Sequence, residues 1–239
     1  MIELNNISFH YPDSNEILEN VSLKIDKGSC VAIAGQSGCG KSTLLNLIAG
    51  TLKPTKGCIS IETGDISYLM QDVTLMPYLN VLENVILAYT LRNKVVDKKV
   101  MVDADKLLQL FQIGKDEYKK YPHELSGGMR QKIALVQTLL TSPELLLLDE
   151  PFTGIDVLSL SDIENKVYNS VKEKGITMVY ITHNIEQAIL LSDRIVIIKD
   201  NSISGDLSLP DDFIKESPLK RSNKGELCKR IFSEIIQNM

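Results

Sequence analysis

The chain has no apolar run approaching the ~18–20 residues needed to cross a bilayer. If it acts at a membrane, it does so by docking on something else that spans it. The opening Met1-Ile-Glu-Leu-Asn-Asn6 has neither the basic region nor the apolar core of a secretory signal, so no signal peptide is expected. A basic excess is missing too. There are 26 Lys and Arg against 31 Asp and Glu, a net charge of −5, which argues against a general nucleic-acid binder. Cysteine is sparse, and Cys30, Cys39, Cys58 and Cys228 have no paired metal-ligand spacing. They read as unlinked thiols of a reducing compartment rather than as a disulfide or zinc framework. Internal repeats and low-complexity tracts are also lacking. What remains is ordinary globular composition, 44% hydrophobic and 24% charged over 239 residues. That length suits one large α/β domain, or one domain with an appendage, and can bury a substantial core.

Against this background one stretch stands out. Gly35-Gln-Ser-Gly-Cys-Gly-Lys-Ser-Thr43 fits the pattern Gly-x4-Gly-Lys-Ser/Thr. The apolar run Val31-Ala-Ile-Ala34 precedes it, and Leu44-Leu-Asn-Leu-Ile-Ala49 follows as a helix. Strand, glycine turn and helix in that order make a P-loop. Backbone N–H groups of Gly35, Gln36, Ser37, Gly38, Cys39 and Gly40 can converge on phosphate oxygens, and the helix N-terminus adds its positive end. Lys41 is expected to reach the β- and γ-phosphates and the Ser42 hydroxyl to ligate Mg²⁺, with Thr43 closing the cradle. Nucleotide binding follows, but the motif alone does not say which machine it drives.

Residues 2–9 and 17–25 read as strands about the turn Tyr11-Pro-Asp-Ser-Asn15, and 57–62 and 66–70 as two more. Apolar spacing then changes to that of helices over 81–91 and 95–112, and a third helix at 128–140 is stopped by Pro143. Strands return at 145–148, 177–182 and 194–198, with helices at about 157–173 and 185–192 between them. The expectation is an α/β domain over 2–205, its parallel-sheet core interrupted by a helical insertion at about 72–142. Residues 206–239 read as a tail with Pro210, Pro218 and an amphipathic helix near 226–237.

Leu145-Leu-Leu-Leu-Asp149-Glu150 is a buried strand ending in two carboxylates. Ligands of parallel sheets bind beyond the strands' carboxyl ends, where the P-loop also lies. Asp149 can there hold Mg²⁺ through water, and Glu150 can polarise a water against the γ-phosphate. Leu125-Ser-Gly-Gly-Met-Arg-Gln131 supplies a second phosphate site, with Ser126 as helix N-cap and the bare N–H groups of Gly127 and Gly128 at the positive helix end. One chain has no room to bring both sites onto one nucleotide. A second copy solves this, with ATP sandwiched between one subunit's P-loop and the other's Ser-Gly-Gly.

With these motifs together, the chain resembles the nucleotide-binding subunits of ABC transporters over residues 2 to about 205. The resemblance implies a P-loop NTPase (RecA-like) core with an N-terminal antiparallel β subdomain and an inserted helical subdomain. It also implies a homodimer that binds ATP and Mg²⁺ and no nucleic acid. Such subunits sit peripherally on the cytoplasmic face of the plasma (inner) membrane, beneath two permease subunits, with a periplasmic or lipid-anchored solute-binding protein in the complex. Residue by residue, Tyr11 resembles the aromatic that stacks on adenine, the lesser alternative being a plain turn tyrosine. Gln71 resembles the glutamine that meets Mg²⁺ and senses the membrane partner. Thr153-Gly-Ile-Asp156 resembles the D-loop that crosses the dimer interface, and His183 the switch histidine that bonds the γ-phosphate. His10 and His123 have no comparable placement and read as surface or structural residues.

Some positions depart from the family pattern. Gln137 stands where many relatives carry arginine, the D-loop has Gly-Ile for Ala-Leu, and Asn184 replaces an aspartate. None removes a phosphate or Mg²⁺ ligand. The segment Leu75-Met-Pro-Tyr-Leu-Asn-Val-Leu-Glu-Asn-Val85 resembles importers of the nitrate, alkanesulfonate and taurine group, with carriers of thiamine-precursor pyrimidines as close relatives. Met76, Tyr78 and Leu79 then read as a docking surface, or otherwise as core. Lys215, Lys220, Arg221, Lys224, Lys229 and Arg230 read as a solvated helix face. An exporter or a lipid or lipoprotein extruder shares this ATPase design and stays open as the alternative. A DNA-repair or translation ATPase would need a coiled-coil insertion or a second cassette. A non-hydrolysing regulatory module does not need the complete ligand set.

Overall fold

Four adjacent strand ends set out the molecule. In the computed structural model, which describes residues 1–12, 15–92, 95–210 and 233, the elements follow in chain order as β1 (Ile2–His10), β2 (Glu16–Ile25), β3 (Cys30–Gly35), α1 (Lys41–Ile48), β4 (Lys56–Ile61), β5 (Ile66–Leu69), α2 (Val81–Leu91), α3 (Lys98–Leu110), α4 (Gly127–Leu140), β6 (Leu145–Asp149), α5 (Val157–Glu173), β7 (Thr177–Ile181), α6 (Ile185–Leu191), β8 (Arg194–Lys199) and β9 (Ser202–Ser208). The main sheet has the order β5-β6-β7-β3-β8-β9, and a second, antiparallel sheet the order β2-β1-β4. β5, β6, β7, β3 and β8 run parallel.

The parallel strands are apolar on both faces because each face has its own core. Leu146 and Leu148 of β6 join one core with Ala32, Ala34, Met178, Tyr180, Ile195 and Ile197. Leu145 and Leu147 join the other with Val31, Ile33, Val179, Ile181, Val196 and Ile198. This alternation is the two-residue period of a strand expressed as two hydrophobic layers. The first layer carries α5, α6 and the helices α2, α3 and α4, which pack on one another; the second is closed by α1 and the antiparallel sheet.

The helices begin where side chains can cap them. Asn80 and Glu83 form a capping box on α2, and Asp97, Ser126, Asp156 and Asn184 cap α3, α4, α5 and α6. Among the described α-helices only α1 has no side-chain cap, its N-cap being Gly40. Its first-turn N–H groups therefore stay available to a ligand.

Two boundaries differ from the sequence reading. The second helix of the insertion starts at Lys98, after its cap Asp97, rather than at 95. The sheet does not end near 205 either. β9 pairs antiparallel with β8 through Ser208, and Leu209 is buried behind it, so the described fold runs past the expected edge of the domain. The helix expected near 226–237 and the basic residues from Lys215 to Arg230 lie outside the described residues.

One core residue carries a pH dependence. Glu164 of α5 is buried, and desolvation pushes its carboxyl up from 4.5 to about 7, against the pull of a hydrogen bond from Gln187. A raised folded-state value means full stability below the unfolded value of about 4.5 and loss as pH rises through about 7. Glu164→Gln removes the ionisation. It is expected to raise the melting temperature by a few degrees at pH 8 and to leave it nearly unchanged at pH 5 by scanning calorimetry.

Candidate active site

The carboxyl ends of β3, β7, β6 and β5 lie side by side and are tied together. The Thr182 N–H donates to the Ile33 carbonyl (3.4 Å), and the Glu150 N–H to the Ile181 carbonyl (3.2 Å). This brings the loop after Gly35, His183, Asp149 with Glu150, and Gln71 to one edge. They open on a cleft of about 440 Å³ lined by Tyr11, Ser37, Gly38, Gly40, Lys41, Ser42, Thr43, Gln71, Glu150 and His183, among others. Nearly all the residues expected around one nucleotide from a single subunit are therefore neighbours. Tyr11 stands at the rim, edge-on to Phe9 with ring centroids 4.9 Å apart.

The loop leaves no room for side chains at its start. Gly35 has φ of +153°, and a Cβ there would lie 2.4 Å from the Ile198 carbonyl oxygen. Lys41 is buried, its ammonium donating to the carbonyls of Gly35 (2.9 Å) and Gln36 (2.6 Å). The one charged donor of the loop is thus held where the backbone turns. The Ser42 hydroxyl donates to Asp149. Burial pushes the Asp149 carboxyl up from its ordinary value; the Ser42 hydrogen bond opposes that, Glu150 adds to it, and Lys41 opposes it.

Asp149 Oδ1 is buried without a hydrogen-bond partner. An orphaned carboxylate oxygen beside a serine hydroxyl at a phosphate cradle fits a hard cation or one of its waters. Among the described residues no cluster of three or more His, Cys, Asp or Glu forms a metal site. A cation here would complete its shell with phosphate oxygens and water, as Mg²⁺ does.

Sequence reasoning missed the pairing next to it. His183 Nδ1 lies 2.9 Å from Glu150 Oε2, and the Thr153 hydroxyl donates to the same oxygen at 3.1 Å. Glu150 itself sits at φ +48°, a left-handed conformation unusual for a residue with a side chain, and strain of this kind gathers at functional sites. The carboxylate expected to act on water and the histidine expected to meet the γ-phosphate form one hydrogen-bonded unit.

Ser126, Gly127 and Gly128 lie elsewhere, in a separate cleft of about 400 Å³ with Met129, Lys132, Gly154 and Asp156. Neither cleft shares a lining residue with the other. The Ser126 hydroxyl accepts from the Met129 N–H at 3.2 Å. A Cβ on Gly128 would lie 2.5 Å from the Gly154 carbonyl oxygen, so the glycine lets α4 touch the segment after β6 directly. Gln131, read above only as part of its motif, reinforces this by donating to the Pro151 carbonyl at 2.8 Å. Asp156 caps α5 and lies 3.4 Å from the Lys132 ammonium, while the Ser159 hydroxyl holds its carboxyl below the usual range.

The segment after Gln71 is organised from within. Asn84, fully buried on α2, accepts from the Met76 N–H (2.8 Å) and donates to the carbonyls of Met76 (3.2 Å), Leu79 (2.9 Å) and Asn80 (3.1 Å). Tyr78 is left 72% exposed with Met76 beside it, so these two side chains are surface and not core.

A mononucleotide cradle at the edge of a parallel sheet, with a helical insertion carrying a second, remote Ser-Gly-Gly helix end, defines a P-loop ATPase of the ATP-binding-cassette class. The chain belongs to the ABC transporter family, whose model matches residues 18–153. It is 39% identical over 213 residues to the aliphatic sulfonates import ATP-binding protein SsuB 1 of Shouchella clausii, covering 88% of this chain and 81% of that one. Identity is 34% over 248 residues to SsuB of Bacillus cereus, covering 99% and 94%. It is 36% to the nitrate import ATP-binding protein NrtC of Synechocystis, where the match covers 82% of this chain but 31% of the relative. Among solved structures, the chain resembles the ATP-binding cassette MJ0796 in a dimeric post-hydrolysis state with ADP and Pi (TM-score 0.79, 28% identity, 88% of this chain and 99% of that one). It also resembles an ATP-binding subunit of an ABC transporter (TM-score 0.81, 26% identity, 99% of each). Among the described residues no helix is long and apolar enough to cross a membrane.

Proposed function

We propose that this chain is the ATP-hydrolysing subunit of an importer of a small solute, acting as a homodimer at the cytoplasmic face beneath two permeases that receive cargo from a solute-binding protein. The observation carrying this reading is the separation of the two half-sites. The P-loop cleft and the Ser126–Gly128 cleft share no residue, which supports a partner copy supplying the missing half to each nucleotide. The sulfonate and nitrate relatives support a sulfonate or nitrate-like solute. A taurine-like solute or a thiamine-precursor pyrimidine rests on the sequence resemblance alone.

In this reading Lys41 and the bare N–H groups of α1 hold the phosphates, and Tyr11 flanks the base. Ser42, Asp149 and Gln71 would hold Mg²⁺, which when bound neutralises charge on the phosphate oxygens. Glu150 orients a water and takes its proton as the water oxygen bonds to the γ-phosphorus and the bond to the β-phosphate oxygen breaks. His183, held at Nδ1 by Glu150, keeps Nε2 for a γ-phosphate oxygen, which it meets as a donor when the ring is doubly protonated. Asp156 and its neighbours meet the second copy. Met76 and Tyr78 form the knob on which a permease segment docks.

Lys41→Ala removes a charged donor, worth about 1.5–3 kcal/mol. ATP-analogue affinity is expected to fall about ten- to hundredfold by titration calorimetry. Cargo is tested by reconstituting the subunit with permease and binding protein and measuring phosphate release with nitrate, taurine, an alkanesulfonate and a pyrimidine in turn. Stimulation that needs both the binding protein and one solute supports import. Full stimulation without a binding protein assigns the subunit to export instead.

A further inference from the structure

Two aliphatic side chains stand on the surface where α5 begins. Val157 is 84% and Leu158 96% exposed, the highest values among the large apolar side chains described. Their apolar neighbours in sequence do not share this. Ile155 is buried, and Leu160 packs against the core that α5 helps to close. Val157 and Leu158 belong to neither core, so the fold gains nothing from their being apolar. An adjacent exposed pair of this kind is explained by what covers it.

The cover follows from where the pair stands. Glu150 and His183 line the P-loop cleft and also a smaller one of about 220 Å³, which Thr153 and Gly154 share. Gly154 and Asp156 then line the Ser126 cleft. Residues 150–156 thus occupy the gap between the two half-sites of one subunit, and Val157 and Leu158 follow directly. A two-fold pair that sets each P-loop cleft against the other copy's Ser126 cleft has its axis in that gap, and a segment on the axis meets its own counterpart. Charge agrees with this placement. A self-facing surface brings like charges together, and from Thr153 to Ser161 the one charged residue is Asp156. Its carboxyl is spent within the subunit, accepting from the Ser159 N–H at 2.9 Å and lying 3.4 Å from the Lys132 ammonium. We propose that Val157 and Leu158 form an apolar clasp across the dimer axis, packed on the same pair of a second copy of this chain. The clasp rests on the sandwich reading above and deepens it, adding an attraction that no nucleotide supplies from side chains that line neither phosphate cleft.

Like charges on a self-facing position repel and opposite charges attract, which gives the test its sign. Leu158→Glu and Leu158→Lys are each made in Glu150→Gln protein, loaded with ATP and Mg²⁺, and followed by analytical ultracentrifugation alone and mixed one to one. Each alone is expected to dimerise about tenfold or more weakly than the Glu150→Gln parent, since a buried leucine is lost from both copies at once. The mixture is expected to recover to within about threefold of the parent. ATP-analogue affinity of the monomers and melting temperature are expected to stay at the parent's values, because this side chain lines neither cleft and packs in neither core. Parent-like dimerisation of both variants alone overturns the clasp. So does a mixture no stronger than either variant by itself, which would show that the pair does not face its own copy. Loss confined to permease-stimulated phosphate release, with dimerisation intact, assigns the surface to the permease and overturns the clasp as well. Each of these results leaves the sandwich standing. Should the parent dimerise only with its permeases present, the same comparison is made there. A parent that stays monomeric even then rejects the sandwich and takes the clasp with it.

Discussion

Glu150→Gln protein is expected to bind ATP as the wild type does, release phosphate ~10²–10⁴-fold more slowly and accumulate as an ATP-loaded dimer. The loss is the contribution of a positioned general base, since glutamine keeps the size and a carbonyl acceptor but cannot take the water's proton. The geometry favours a clean outcome. Thr153 and His183 both donate to Glu150 Oε2 when the ring carries its proton on Nδ1, and an amide oxygen can accept the same two bonds. The backbone at φ +48° is equally strained in either form. Single-turnover phosphate release together with light scattering reads both parts. Wild-type turnover rejects Glu150 as the base. A strictly monomeric ATP-loaded variant at high concentration, with its permeases present, rejects the sandwich.

Gly128→Ala is also expected to separate nucleotide binding from turnover, here through the remote cleft. The new methyl would meet the Gly154 carbonyl oxygen at 2.5 Å, and neither backbone can yield cheaply. Gln131 on the same helix holds the Pro151 carbonyl, so the strain cannot be relieved by sliding α4 without losing that bond. A displacement near 1 Å at a catalytic interface costs ~10²-fold in rate. The P-loop cleft shares no residue with this contact, so analogue affinity of the monomer should stay within about twofold. Equal loss of affinity and turnover would show that the two clefts are not independent.

How much was legible depends on whether a residue acts through its neighbours in sequence or through the fold. The P-loop and the Ser126-Gly-Gly segment were readable because phosphate binding by helix ends is a local property of glycine, serine and a following helix. The buried strands were readable from continuous apolar runs, as in Leu145–Leu148. β9 escaped because it is an edge strand, Ser202–Ser208, with a glycine in the middle and only Ile203 and Leu207 turned toward apolar neighbours. The pairing of Glu150 with His183 spans 33 residues and exists only because β6 and β7 are adjacent. The hold of Gln131 on Pro151 likewise joins parts distant in sequence, α4 and the segment after β6. Glu164 gave no signal, since a single acid on a helix ordinarily faces solvent.

Asn84 spends its whole side chain on main-chain atoms of Met76, Leu79 and Asn80. The shape of that segment is thus written in an amide that no partner ever sees, and the outward groups of Met76 and Tyr78 owe nothing to its upkeep. Under the docking role proposed for them, the address could be rewritten by exchanging two side chains, with the engine beneath it left untouched.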